Sequence, residues 1–365
     1  MRFDDLYIAG HGVWLPGTVP VAEAVAAGRY PGSEARRSRL LSATVAGEGE
    51  EESPPGMAAR AAARALAVSG HTADEVDLLL HAAVHYQGHD LWAPASYIQR
   101  EVLGGHCLAL EVRQMSNGGM ASLELAARCL ASGAHGRAAL LTAGDRFHLP
   151  GFDRWRSDPG TVYADGGAAL VVSRRGGYAR LLSVASYADA ELEGMHRGDD
   201  PFATGPHAVR PTVDLQACKK DFVRRFGMAA GIARVGAGRR AAVEQALSDA
   251  GTGLERIDWF VLPHLGRRRL EVAWFRPLGI TPERTTWEWS RTVGHLGAAD
   301  QYASLGHLVD TGRARPGQQV LLLGVGAGFS WSAAVLELLD PRADSTGQGP
   351  AGPARALPEP EGGAR

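Results

Sequence analysis

The chain repeats one turn-and-helix unit. From Ser116 to Gly133, and again from His295 to Gly312, it runs 17 positions through a turn and a helix-forming stretch. The first copy closes on Ala131-Ser132-Gly133 and leads into the apolar strand Ala138-Ala139-Leu140-Leu141-Thr142. The second closes on Asp310-Thr311-Gly312 and leads into Gln319-Val320-Leu321-Leu322-Leu323. A chain duplicated in this way is expected to fold as two α/β halves of one plan, with Ser116 and His295 at equivalent helix entrances.

The rest of the sequence keeps the same alternation. In the first half a strand is expected over 6–14, a helix over 57–69, a strand over 76–83, a helix over 94–103 and a strand through 163–172, with an acidic loop over 48–55. In the second, a helix over 239–250, a strand over 257–262, a helix over 269–276 and a strand over 332–338 follow in the same order. This divides the chain into halves at about 1–175 and 176–340. The Pro-, Gly- and Ala-rich 341–365 has too little apolar content to offset the entropy of ordering and is expected to be a disordered tail.

Composition excludes several classes of function. A net charge of −2 over 365 residues provides no field to draw in nucleic acid or an anionic membrane. Cys107, Cys129 and Cys218 have no metal-ligand spacing and suggest no disulfide framework, which fits a reducing cytoplasm. No stretch approaches the ~20 apolar residues of a membrane span, and the first residues lack the pattern of a signal peptide. The glycine-rich Gly324-Val325-Gly326-Ala327-Gly328 runs into a strand-like segment, not a helix, which argues against a nucleotide-binding loop.

Ser116 lies between the strand Leu110-Glu111-Val112 and the small-residue helix that follows, where a turn lifts a side chain over unpaired helix N–H groups. Alone, a serine before glycines is usually an N-cap or turn former. The histidine at the matching entrance of the second unit points to a nucleophile and a base.

Several segments together resemble the ketoacyl-acyl-carrier-protein synthase III family of the thiolase superfamily. They are Leu110-Glu111-Val112 before the nucleophile turn, Tyr163-Ala164-Asp165-Gly166-Gly167-Ala168, Arg313-Ala314-Arg315-Pro316-Gly317-Gln318 and Gly326-Ala327-Gly328-Phe329-Ser330-Trp331. The resemblance covers roughly 5–340 and implies the thiolase fold, a duplicated αβαβα architecture of five layers. The family's active site is Cys-His-Asn. Here Ser116 stands in place of the cysteine, His264 in Pro263-His264-Leu265-Gly266 matches the histidine, and His295 in Val293-Gly294-His295-Leu296-Gly297 replaces the asparagine. The pair that decarboxylates malonyl donors is thereby broken.

A serine hydroxyl needs an adjacent base where a thiol does not, and His295 supplies one. Asp300, five residues on, would orient that base provided His295 precedes the helix, Gly297 permits the bend and Asp300 points back from the first turn; an acid favoured there by the helix dipole is its other reading. His264 is expected to line the same site or to remain as a relic. Asp165 is expected to brace its glycine turn.

By the resemblance, the oxyanion hole comes from the backbone N–H groups of Ser116 and Ala327, and Arg154, Trp155 and Arg156 are candidates for binding coenzyme A at the tunnel mouth. Acyl-coenzyme A is then a substrate, and no cofactor or metal is expected. The function implied is transfer of a short acyl group through acyl-Ser116 to a carrier protein or a hydroxyl acceptor in polyketide biosynthesis. A starter-unit synthase using His264 and His295, or an inactive partner subunit with a structural Ser116, are the alternatives. A homodimer is expected, with the loop around Trp92-Ala93-Pro94 reaching toward the neighbour.

Overall fold

A computed structural model describes residues 1–133 and 136–340; the tail expected at 341–365 lies outside the described residues. In chain order the strands are β1 (Tyr7–Trp14), β2 (Thr18–Pro20), β3 (Ser42–Thr44), β4 (Val76–Ala82), β5 (Leu108–Val112), β6 (Ala138–Asp145), β7 (Gly166–Ser173), β8 (Ala179–Ala188), β9 (Trp259–Val261), β10 (Gln319–Gly326) and β11 (Ser330–Leu338). Nine of them hydrogen-bond in the order β5-β4-β6-β7-β1-β8-β11-β10-β9, while β2 and β3 pair separately.

The duplication is visible in that order. In the first half β4 runs parallel to β6, and β7 lies antiparallel between β6 and β1. In the second, β9 runs parallel to β10, and β11 lies antiparallel between β10 and β8. The two halves join where β1 meets β8 through Tyr7↔Arg180 and Ile8↔Ala179. Within the nine-stranded sheet only β5 has no named counterpart in the second half, where the chain between β9 and β10 is largely helical.

Five layers follow. Helix Pro54–Val68 covers the outer face of β1, β6 and β7, and helix Met228–Ala250 covers β8 and β11. Between the two halves lie helices Gly118–Ala131 and Asp300–Asp310, each touching strands of both. Helices on both faces bury every position of β6 and β7, which explains their continuous apolar runs. One apolar core crosses the join, from Ile8 and Leu170 to Leu321 and Val335. The fold is the α/β thiolase fold.

Some boundaries differ from those expected. Pro54 and Pro55, read as loop, form the first helical turn, where a missing N–H costs nothing, and the Ser53 hydroxyl caps it by accepting from the Gly56 N–H at 3.2 Å. The helix expected from Arg239 begins at Met228, across glycines that weaken the sequence signal. The helix expected over 269–276 is interrupted by a wide turn, Glu271–Phe275.

Candidate active site

β5 delivers the chain to the tight turn Met115–Asn117, from which helix Gly118–Ala131 starts. Met115 has φ +50°, a conformation that costs a residue with a side chain and that turns Ser116 out of the sheet direction. Asn117, fully buried, holds the turn by donating to the hydroxyls of Ser330 at 3.2 Å and Ser332 at 2.8 Å, and Gln114 donates to Ser330 at 3.0 Å. Neither amide stood out in the sequence.

The opposing entrance approaches closely because its residues are small. A Cβ on Gly119 would stand 2.4 Å from the Ala298 carbonyl oxygen, and the Tyr302 hydroxyl donates to the Gly119 carbonyl at 2.6 Å. Gly297 has φ +64°, and a Cβ there would meet the Asp145 carboxylate at 2.3 Å, so this bend requires glycine on both counts. His295 is held on either side of its peptide, its N–H donating to Val162 at 2.9 Å and its carbonyl accepting from Ala164 at 2.8 Å. The Tyr163 ring lies edge-on to the imidazole at 4.9 Å.

Across this gap Ser116 Oγ lies 2.8 Å from His295 Nε2, and His295 Nδ1 lies 2.6 Å from Asp300 Oδ2. The carboxylate only accepts, so the imidazole proton sits on Nδ1 and Nε2 is free to accept from the serine hydroxyl. Asp300 opens its helix and points back, with Oδ1 accepting from the Leu296 N–H and Oδ2 from the His264 N–H, both at 2.8 Å. Burial disfavours charge on His295, but the Asp300 carboxylate outweighs it and holds the imidazole above its ordinary range. Burial likewise opposes ionisation of Asp300, yet the two histidines and its N–H donors keep it below the usual carboxylate value.

Ser116 and Ala327 both border a cavity of about 870 Å³. Its walls include Phe147, Phe152, Tyr163 and Trp92, together with His85, His148, His196 and His207. None of the three cysteines borders it, whereas Ser116 does, with its Oγ 2.8 Å from His295 Nε2.

Other sequence expectations are corrected or reassigned. His264 does not border the cavity; it is fully buried behind Asp300. Arg154, Trp155 and Arg156 do not border it either. Arg154 is spent on Asp165, Trp155 packs against Tyr30, and Arg156 donates to the Gly28 and Arg29 carbonyls. The physical reason is that Asp165 is a buried carboxylate that needs a cation, and Arg154 supplies it. Asp165 also accepts from the Ala46 and Phe147 N–H groups and so braces its turn. Asp145 is a further buried acid of the site. Burial pushes its carboxyl up to about 7 against the N–H donors of Val84, His85 and Ala298. A lone acid at a strand end left no signal in the sequence.

Comparison with known proteins agrees with this fold. Residues 247–338 match the family described as the C-terminal part of 3-oxoacyl-[acyl-carrier-protein] synthase III. The β-ketoacyl-[acyl-carrier-protein] synthase III of Rhizorhabdus wittichii is 27% identical over 303 residues, covering 82% of this chain and 88% of its own. That of Granulibacter bethesdensis is 28% identical, covering 91% and 98%. Among solved structures, the acyltransferase ChlB3 superposes with a TM-score of 0.87 at 38% identity, covering 93% of this chain and 99% of its own. A synthase III from Aquifex aeolicus shares the fold, with a TM-score of 0.73 at 19% identity. The chain belongs to the ketoacyl-acyl-carrier-protein synthase III-like family, an enzyme family of the thiolase fold.

Proposed function

We propose that this ketosynthase III-type enzyme is an acyltransferase working through an ester on Ser116. The observation that carries the reading is the continuous chain Ser116 Oγ–His295 Nε2 and His295 Nδ1–Asp300 Oδ2, at 2.8 and 2.6 Å. His295 takes the Ser116 proton as the oxygen attacks the thioester carbonyl of an acyl-coenzyme A, and returns it to the departing coenzyme A sulfur. Asp300 keeps the tautomer and balances the imidazolium. The developing oxyanion is met by the backbone N–H groups of Ser116 and Ala327, at the mouth of the Gly118–Ala131 helix. In the second half-reaction His295 takes the proton of an acceptor thiol or hydroxyl as it attacks the ester, and gives that proton to the departing Ser116 oxygen, which restores the serine.

The acceptor is a carrier-protein thiol or a small-molecule hydroxyl, and the pathway implied by the family resemblance is polyketide biosynthesis. An inactive partner subunit would have no use for a base and an orienting acid aligned on Ser116. The test is a chase: protein loaded from a short acyl-coenzyme A, freed of donor and mixed with carrier protein or a hydroxyl acceptor should lose its acyl mass as the acceptor gains it. Loading that persists in Ser116→Ala contradicts the reading.

A further inference from the structure

His264, which the resemblance places among the reacting groups, is turned away from the cavity. Its Nδ1 lies 2.9 Å from the Gly294 carbonyl and 3.3 Å from Asp300 Oδ1, two groups that only accept, so Nδ1 carries the proton. Nε2 then accepts from the Ser304 hydroxyl at 2.7 Å, and Ser304 accepts from Thr286 at 3.0 Å. The Trp289 ring closes the imidazole edge-on at 5.4 Å.

What these contacts hold is the base and its orienter. Gly294 supplies the peptide that enters His295. Asp300 and Ser304 lie four residues apart on one face of their helix, and the imidazole bridges both. His264 also donates its own backbone N–H to Asp300 at 2.8 Å.

We propose that His264 is a positioning residue: its Nδ1–H, fixed by Ser304 on the far side, locks Asp300 and the Gly294 peptide so that His295 faces Ser116. Neither ring nitrogen is left to assist loss of carbon dioxide from a malonyl thioester. The effect on rate rests on the acyl-Ser116 reading; the effect on the His295–Asp300 hydrogen bond does not.

Three variants test it: His264→Ala, His264→Asn, whose amide N–H replaces the Nδ1–H, and Ser304→Ala. Two readouts are needed, the rate and KM of Ser116 acylation and the downfield proton resonance of His295 Nδ1–H. His264→Ala should slow acylation by about 10²-fold with KM for the acyl donor within about twofold, because a base displaced by ~1 Å loses that much, and should shift or broaden the resonance. His264→Asn should restore most of both, and Ser304→Ala should cost about 10-fold. Equal loss in His264→Asn and His264→Ala overturns the proposal, as does an unchanged resonance in His264→Ala. Where His264→Ala fails to fold, wild-type behaviour of Ser304→Ala overturns it instead. Release of labelled carbon dioxide from malonyl-coenzyme A by the wild type, abolished in His264→Asn, would make His264 a reacting group. The resonance recorded in Ser116→Ala protein separates failure of this inference from failure of the acyl-serine reading.

Discussion

At Ser116 the exchange of thiol for hydroxyl decides what the neighbouring residues must do. A hydroxyl is un-ionised near neutral pH, so nucleophilicity depends on the imidazole 2.8 Å away. If His295 and Asp300 act as one unit, His295→Ala and Asp300→Asn each slow acylation by on the order of 10³–10⁴-fold, and the double variant is little worse than His295→Ala. Additive losses in single-turnover rates would show separate roles. The pH dependence has a definite sign. His295 must be neutral to accept a proton, and its pKa is raised, so acylation falls as pH drops through a value above that of an unperturbed imidazole. Removing the carboxylate charge in Asp300→Asn should move that acid limb to lower pH while lowering the plateau; a limb that stays in place contradicts the assignment of Asp300. Ser116, His295 and Asp300 were legible in sequence because each lies within five residues of a helix entrance fixed by the repeat. The orientation of His264 was not, since its ring is directed by Ser304 and Gly294, 40 and 30 residues away.

Among the elements, the two central helices meet through small residues, and that contact sets the serine–imidazole distance. A larger side chain at Gly119 would drive Ala298, and with it His295, away from Ser116. Gly119→Val should therefore cost about 1–3 kcal/mol of stability and most of the acylation rate, read by denaturant midpoint and single-turnover kinetics. Wild-type acylation in this variant would show that the contact does not set the distance. A second element-level tie is Asp158, nearly fully buried, which joins Arg269 at 2.7 Å and Lys219 of helix Leu215–Phe226 at 2.7 Å. Burial opposes its charge, but the two cations prevail and hold the carboxyl far below the usual range. That stability is present above the unfolded pKa and is lost as pH falls toward the folded one. Asp158→Asn should lower stability at neutral pH by about 3 kcal/mol and flatten its fall in acid, as followed by denaturant melts across pH. No decrease would mean the cluster is solvated. The strands were legible because β6 and β7 carry continuous apolar runs, Ala138–Leu141 and Ala168–Val172. Helix Leu215–Phe226 and its Asp214 cap were not, because the stretch is charged and its amphipathic face is short.

For the whole molecule, the nine-stranded sheet ends at β5, whose Leu108 and Leu110 are 59% and 45% exposed on an edge with no strand beyond it among the described residues. Such an edge is a template for pairing with a second strand, and a homodimer joined there would cover it. Sedimentation should show a dimer at micromolar concentration and a monomer for Leu110→Glu; a monomeric wild type removes the idea. The duplication and the opposing entrances followed from the 17-residue repeat and the layer order from the family resemblance, whereas the missing counterpart of β5 followed from neither, because a repeat confined to the turn, the helix and the strand after it says nothing of an edge strand that precedes it. The central claim is that a base-activated serine carries the acyl group. Peptide mapping of protein incubated with a short acyl-coenzyme A tests it most directly: the account predicts the added mass on the peptide containing Ser116 and none in Ser116→Ala, and an acyl group found instead on Cys107, Cys129 or Cys218 would contradict it.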